Sequence, residues 1–219
     1  MMRTLMAEGL GTGLLLMAVI GSGIYGETLS QGNTGVALLA NAIATGCMLF
    51  VLITCLGPIS GAHFNPAVSL AFYLRGHIPL RTLACYVPVQ IIGGVLGVWL
   101  THGMYDTAIL QFSTTDRTGP AQWLSEIVAT FGLLFVIFGG LRFQPGAIPA
   151  LVGLYITGAY WFTASTSFAN PAVTIARLFS DTFAGINPAH VTGFIFCQII
   201  GVGLAHFVLR WLFSPDTDA

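Results

Sequence analysis

NPAVSLAF occupies residues 65–72, and the same four residue types open NPAVTIAR at residues 170–177. Proline lacks a backbone N–H and so fits the first position of a helix, and asparagine is a favoured N-cap residue before it. Each motif therefore predicts the start of a helix. The apolar stretches that begin at the two prolines, 66–74 and 171–179, are only about half of the ~20 residues that a helix needs to cross a bilayer, so neither helix spans a membrane alone.

The composition indicates a membrane protein. Hydrophobic residues make up 55% of the chain and charged residues 7%, whereas about 25% of the residues of a soluble domain are charged. The net charge is −1 and the sequence contains no lysine, so it offers no basic surface for nucleic-acid phosphates. We therefore expect the lipid bilayer, and no nucleic acid, as a partner.

The four cysteines, Cys47, Cys55, Cys85 and Cys197, lie in apolar stretches and form no CxxC pair. This pattern favours small buried hydrophobic residues over metal ligands or redox groups. Neither a metal site nor a cofactor is predicted.

Six segments are long and apolar enough to cross a bilayer. They are roughly 5–24, 36–56, 83–102, 122–141, 147–164 and 191–213. The halves of the chain resemble each other: AEGLGTGLLLMAVIGSG is followed later by SEIVATFGLLFVIFGG, and QIIGGVLG by QIIGVGLA. This self-similarity predicts one transmembrane domain, 1–219, with a first repeat at 1–108 and a second at 118–219.

Each repeat contains three full spans, an odd number, so the second repeat enters the membrane from the opposite side. The predicted fold class is an all-α membrane protein with six transmembrane helices, two half-helices and an inverted repeat. With both termini in the cytoplasm, only Arg117 and Arg177 of the seven arginines lie outside. The other five then follow the positive-inside tendency, and we expect the inner (plasma) membrane as the location.

The two half-helices are expected to meet at the bilayer centre, because they enter from opposite faces. Each N-terminus carries about half a positive charge, so the pair repels cations and protons. The approach loops PISGAHF (58–64) and ASTSFA (164–169) must either be buried in protein or line a wet cavity, since irregular backbone is tolerated in a membrane only in those two settings. The predicted carbonyl-bearing residues are Gly61, Ala62, His63, Thr166, Ser167 and Phe168.

SGAHFNPAV and FANPAV, placed in two inverted halves, resemble the paired signatures of the aquaporin and aquaglyceroporin family, and the resemblance covers essentially the whole chain. It implies a channel rather than an enzyme, and a homotetramer with one pore per subunit. It also implies that the asparagine amides bond the passing oxygen at the pore centre. The residues assigned to that centre are Asn65, Pro66, Ala67, Asn170, Pro171 and Ala172.

Glu8 and Glu126 match the buried glutamates of this family. A carboxylate within a span is expensive and usually functional, and the resemblance implies that these two hold the loop backbones by hydrogen bonds; a proton relay is the alternative. His63 matches a histidine near the inner vestibule, with simple packing as the alternative. A secondary transporter remains the competing class of function, because it too uses inverted repeats and broken helices.

The resemblance also assigns an outer constriction, by spacing from the two asparagines, to Thr45, Gly158, Ser167 and Val173. Most family members have an arginine where this chain has Val173. The resulting ring is expected to be wide and weakly polar, and it resembles a bacterial branch of aquaglyceroporins associated with arsenic-resistance gene clusters. The implied solutes are arsenite and related metalloid hydroxides, methylated arsenicals, glycerol and water; the alternative is a general glycerol and water facilitator.

Arg177 follows Val173 by four residues, which places both on one helix face about 6 Å apart. It could serve as a charge in the outer vestibule. Alternatively it reaches the membrane interface or pairs with Asp181, another four residues on.

Overall fold

The computed structural model describes residues 1–214; residues 215–219, part of the predicted second repeat, lie outside the described residues. All regular structure in residues 1–214 is helical. The helices are α1 (Met2–Leu29), α2 (Thr34–Ser60), α3 (Pro66–Leu74), α4 (Leu80–Met104), α5 (Pro120–Phe143), α6 (Ile148–Phe162), α7 (Pro171–Arg177) and α8 (Pro188–Leu212). The predicted fold class, with two half-helices α3 and α7, is confirmed.

Five of these helices, α1, α2, α4, α5 and α8, are long and apolar enough to cross a membrane by themselves. The sixth predicted span corresponds to α6, which has 15 residues and is therefore about 22 Å long. A 3₁₀ turn at Pro145–Ala147 leads directly into it. The turn lengthens this segment toward the thickness of the hydrocarbon core, which is about 30 Å.

The end of α2 differs from the prediction. Residues 58–60 belong to the helix although Pro58 interrupts its hydrogen bonds, so the approach loop begins only at Gly61. Gly61 ends the helix in the left-handed conformation, with φ of 88°, which glycine adopts without a steric penalty. At the other half-helix, α7 ends at Arg177 rather than at residue 179.

The two halves pack in the same way. Helix α1 contacts α2 and α4, and correspondingly α5 contacts α6 and α8, while α2 and α6 join the halves. Glycines allow the backbones of α1 and α4 to touch: a Cβ atom at Gly93 would lie 2.2 Å from the Gly9 carbonyl oxygen, and one at Gly97 would lie 2.2 Å from that of Gly13. Small residues thus permit close helix crossings, as in other membrane bundles.

Glu8 fixes the first approach loop from α1. Its Oε1 accepts hydrogen bonds from Ser60 Oγ (2.6 Å) and the His63 backbone N–H (3.0 Å). Its Oε2 accepts from the Phe64 N–H (2.7 Å) and from Gln90 Nε2 of α4 (2.8 Å). The carboxylate is fully buried, and these four donors satisfy it.

Glu126 repeats this arrangement in the second half. Its Oε1 accepts from Ser165 Oγ (2.6 Å) and the Phe168 N–H (2.9 Å). Its Oε2 accepts from the Ala169 N–H (2.9 Å) and from Gln198 Nε2 of α8 (2.6 Å). The structure therefore places both glutamates behind the loops, at the positions that the loop-support interpretation requires and a proton relay does not.

The carboxylates hold backbone that is otherwise unfavourable. Phe64 and Ala169 have φ of 48° and 47°, a region that residues other than glycine adopt in only a few per cent of cases. Each such residue costs about 1–3 kcal/mol. Hydrogen bonds to a charged acceptor contribute about 1.5–3 kcal/mol each, which is enough to offset that cost.

Exchanging Gly97 for alanine is expected to destabilise the bundle, because its Cβ would meet the Gly13 carbonyl oxygen and push α1 away from α4. Gly103→Ala is the matched control on the same helix, since its nearest neighbouring atom would be 3.8 Å away. Thermal unfolding in detergent should show a lower midpoint for Gly97→Ala than for the wild type, whereas the midpoint of Gly103→Ala should be unchanged. Equal midpoints for both variants would contradict the close crossing.

The Glu126→Gln variant is expected to lose about 1–3 kcal/mol of stability, because an amide has one acceptor oxygen and leaves buried donors unpaired. Glu27→Gln is the control: this glutamate is exposed at the end of α1. The yield of folded protein and its unfolding midpoint measure the effect. A Glu126→Gln protein of unchanged stability would show that the loop does not depend on the carboxylate.

Candidate functional site

The two asparagines join the half-helices at the middle of the molecule. Asn65 Oδ1 accepts from the Ala67 N–H (2.8 Å) and thereby caps α3, while Asn65 Nδ2 donates to the Ala169 carbonyl oxygen of the opposite loop (2.7 Å). Asn170 caps α7 in the same way, and its Nδ2 donates to the Phe64 carbonyl oxygen (2.9 Å). Each amide therefore fastens its own helix start to the loop of the other repeat.

The second N–H of each amide remains for another acceptor, since an amide nitrogen carries two. Both asparagines line the main cavity of the described chain. The sequence had suggested the contact with a passing oxygen but not the link between the repeats. The neighbouring prolines and alanines, Pro66, Ala67, Pro171 and Ala172, are buried and do not belong to the lining.

The cavity has a volume of about 380 Å³, and Asn65 and Asn170 form part of its wall. Besides the asparagines, polar groups of the cavity wall come from the loop 61–63 and from Ser167. Thr45, Tyr160 and Arg177 supply further polar groups. Of the predicted loop residues, Gly61, Ala62, His63, Ser167 and Phe168 line the cavity, whereas Thr166 does not. The rest of the wall is apolar, with Leu15, Val19, Leu49, Ile53, Val68, Phe72, Leu133, Ile137, Leu141, Ile148, Val152 and Ile156.

His63 lines the cavity together with Phe72. Its Nδ1 is 3.0 Å from Ser69 Oγ, and its ring centroid is 4.4 Å from that of Phe72. Because Ser69 Oγ also accepts from Gln90 Nε2 (3.0 Å), the histidine is connected to the hydrogen-bond network of Glu8. The ring both packs and lines the cavity, so the two sequence interpretations are not exclusive.

The four residues predicted to form the outer constriction do not all line the cavity. Thr45, Ser167 and Val173 line the cavity, but Gly158 is exposed on the outside of α6, and a Cβ there would meet no atom within 4 Å. The prediction for Gly158 is wrong. Tyr160 takes its place: it lines the cavity, and its hydroxyl lies 3.2 Å from Thr45 Oγ1.

Arg177 also lines the cavity, although only 2% of it is exposed. Its guanidinium carbon lies 3.5 Å from the centre of the Phe168 ring, and its Nε donates to the Ala184 carbonyl oxygen. The predicted alternative, a pair with Asp181, is wrong. Asp181 Oδ1 accepts instead from the backbone N–H of Thr114 (2.8 Å).

A second arginine clamps the outer loops together. Arg117 Nε donates to the Gly185 carbonyl oxygen (2.7 Å), and Nη2 donates to that of Phe183 (3.2 Å). Its guanidinium carbon is 5.3 Å from the same Phe168 ring. The segment before α5 is thus fastened to the segment after α7, and this holds the backbone that Arg177 bonds. Apart from the charge of Arg117, no pattern in the sequence indicates this clamp.

The cysteines do not follow the prediction of burial. Cys47 and Cys55 are exposed on α2, Cys85 is half-buried, and only Cys197 is buried. All four thiols are free. Within residues 1–214, no cluster of three or more His, Cys, Asp or Glu side chains is arranged to hold a metal ion.

Comparison with known proteins gives a consistent result. The family model described as major intrinsic protein matches residues 1–167. The aquaglyceroporin AqpS of Rhizobium meliloti (strain 1021) is 55% identical over 213 residues, 97% of this chain and 91% of the relative. A probable aquaporin, TIP4-1 of Oryza sativa subsp. japonica, is 36% identical over 186 residues, 81% of this chain and 72% of the relative.

The fold is similar to that of a solved structure as well. The X-ray structure of the aquaglyceroporin from Plasmodium falciparum matches with a TM-score of 0.73 at 19% identity, over 97% of this chain and 98% of that one. The family match covers most of the chain, and it agrees with the paired half-helices and the cavity between them. This chain belongs to the major intrinsic protein family.

Proposed function

We propose that this protein is a passive channel for small uncharged molecules that carry hydroxyl groups, with glycerol and water among them. The observation that carries this proposal is the cavity past Asn65 and Asn170, whose wall contains no carboxylate among the described residues. A solute there meets two amides and the positive ends of α3 and α7. The positive helix ends repel cations, and the amides can donate hydrogen bonds to the oxygen of a neutral molecule.

The competing function, a secondary transporter, requires ionisable or ion-coordinating groups at the midplane. The acids within the described spans that come closest to this requirement, Glu8 and Glu126, are fully buried, and each is engaged by four hydrogen-bond donors. This leaves them unavailable for binding a coupling ion. The geometry therefore favours a channel.

Arsenite is among the solutes that we propose for this channel. At neutral pH it is an uncharged trihydroxide, so it presents the same chemistry to the pore as a small polyol. Val173 contributes no charge or hydrogen-bond donor to the outer ring, and Thr45 contributes one small hydroxyl. Related metalloid hydroxides and methylated arsenicals fit the same argument. A facilitator of glycerol and water without a metalloid role is the narrower version of this proposal.

The proposed assembly is a homotetramer in the inner (plasma) membrane with both termini cytoplasmic. Family membership supports the assembly, and the arginine distribution supports the orientation. In this assembly each subunit has its own pore, because the residues of one chain suffice to line the cavity.

Uptake into lipid vesicles that contain the purified protein tests the proposal. We expect glycerol, arsenite and water to enter faster than into empty vesicles, without dependence on a proton or sodium gradient. Uptake that requires such a gradient would support the transporter. Glycerol uptake without arsenite uptake would restrict the function to the narrower version.

Val173→Arg is expected to reduce glycerol and arsenite uptake more than water uptake, because a guanidinium adds bulk and five donors to the ring. Val173→Leu is the control for volume without charge and should have the smaller effect. Stopped-flow light scattering with equal amounts of folded protein measures the water and glycerol fluxes. An unchanged or increased arsenite flux in Val173→Arg would contradict a role of this position in solute range.

Tyr160→Ala is expected to change glycerol uptake about fivefold, the effect of ~1 kcal/mol on a barrier, because it opens the ring and leaves Thr45 Oγ1 without this partner. Gly158→Ala is the control and should leave uptake unchanged, since its Cβ points into open space. Comparison of the two variants shows whether residue 160 or residue 158 belongs to the ring. A larger effect at Gly158 than at Tyr160 would contradict the assignment of the ring.

A further inference from the structure

The Arg177 guanidinium is fixed at one end and free at the other. Its Nε is bonded to the Ala184 carbonyl oxygen, and its plane lies over the Phe168 ring. The two Nη groups donate to no protein atom among residues 1–214, although the residue is buried and lines the cavity. A buried guanidinium normally has its donors paired. These four N–H bonds are therefore available to a molecule in the cavity.

The charge of Arg177 is also unpaired. The ion pair that the described chain contains joins His190 and Asp116, while Asp181 is occupied by Thr114. The other guanidinium near Phe168, that of Arg117, adds a second positive charge rather than cancelling the first. A cation in the outer part of the cavity consequently meets repulsion before it reaches the half-helix ends.

Hydroxyl-bearing side chains line the same cavity as Arg177. Arg177 lies one helical turn beyond Val173 on α7, and the ring there contains the hydroxyls of Thr45 and Tyr160. Ser167 Oγ is buried and has no partner within the described chain. A solute at this point can accept bonds from Arg177 and exchange bonds with the hydroxyls, while Val173 and Phe168 offer apolar contact. That combination suits a small polyol, which has several oxygens and an apolar carbon frame.

We propose that Arg177 selects solutes at the outer end of the cavity, binding the hydroxyl oxygens of uncharged polyols through its Nη groups and excluding cations by its charge. The inference rests on the proposed channel function. The positive charge of Arg177 then lies one helical turn farther out than Val173, and contacts with Phe168 and the Ala184 carbonyl oxygen hold the guanidinium in place.

Arg177→Met tests the charge, because methionine keeps an unbranched chain but removes the cation and its donors. In vesicles, a pH-sensitive dye measures proton entry under a clamped potassium potential, and light scattering measures glycerol and water. We expect proton entry to rise about tenfold or more, with the glycerol-to-water flux ratio reduced. Arg142→Met, at the exposed end of α5, is the control and should match the wild type.

A conservative variant keeps the test decisive if Arg177→Met does not fold. Arg177→Lys retains the charge but loses the planar pair of Nη groups, so it should exclude cations while its glycerol-to-water ratio falls. If Arg177→Met does fold, adding Val173→Arg to it returns a guanidinium to the cavity and should restore cation exclusion.

The outcomes separate the two proposals. Wild-type vesicles that take up no glycerol above empty ones would overturn the channel itself. Wild-type vesicles that conduct glycerol, together with a folded Arg177→Met protein that remains tight to cations, would overturn only the role of Arg177. If Arg177→Met does not fold, an Arg177→Lys protein with the wild-type glycerol-to-water ratio would overturn the proposed polyol binding.

Discussion

Two carboxylates buried in α1 and α5 determine where the pore groups lie. Glu8 and Glu126 each accept two loop N–H bonds, one serine hydroxyl and one glutamine amide. These bonds hold two loops in left-handed backbone that residues other than glycine rarely adopt. The loops in turn supply the carbonyl oxygens to which the two asparagine amides donate across the molecular centre. Loss of one carboxylate would therefore displace the other repeat's helix start as well.

The electrostatics follow from this arrangement. Two half-helix ends bring partial positive charge to the centre, and Arg177 places a full charge farther out, while the acids remain behind the loops. The described wall offers no carboxylate to a passing cation, whereas its hydroxyl and amide groups can replace part of the hydration of a neutral solute. The fold thus uses its own buried acids for stability and leaves the path to uncharged molecules.

The sequence predicted the parts that follow from local rules. Asn-Pro at a helix start, apolar length and the internal repeat identified the half-helices, the spans and the inverted fold. It failed at Gly158, because counting back from Asn170 assumes a fixed loop length. Each residue of a helix turns by about 100°, so an error of two positions rotates the expected side chain by about 200° to the opposite face. The contacts of Arg177 were undetermined for another reason: they involve Phe168 and the Ala184 carbonyl, which only tertiary folding brings together.

The temperature dependence of glycerol uptake by vesicles containing the wild-type protein tests the central claim most directly. An open path between fixed groups involves no conformational cycle for each molecule transported. We therefore predict a shallow Arrhenius slope, close to that of glycerol diffusion in water, and a rate proportional to glycerol concentration. A steep slope together with saturation would contradict the account, because those features belong to a carrier that must change shape for every solute.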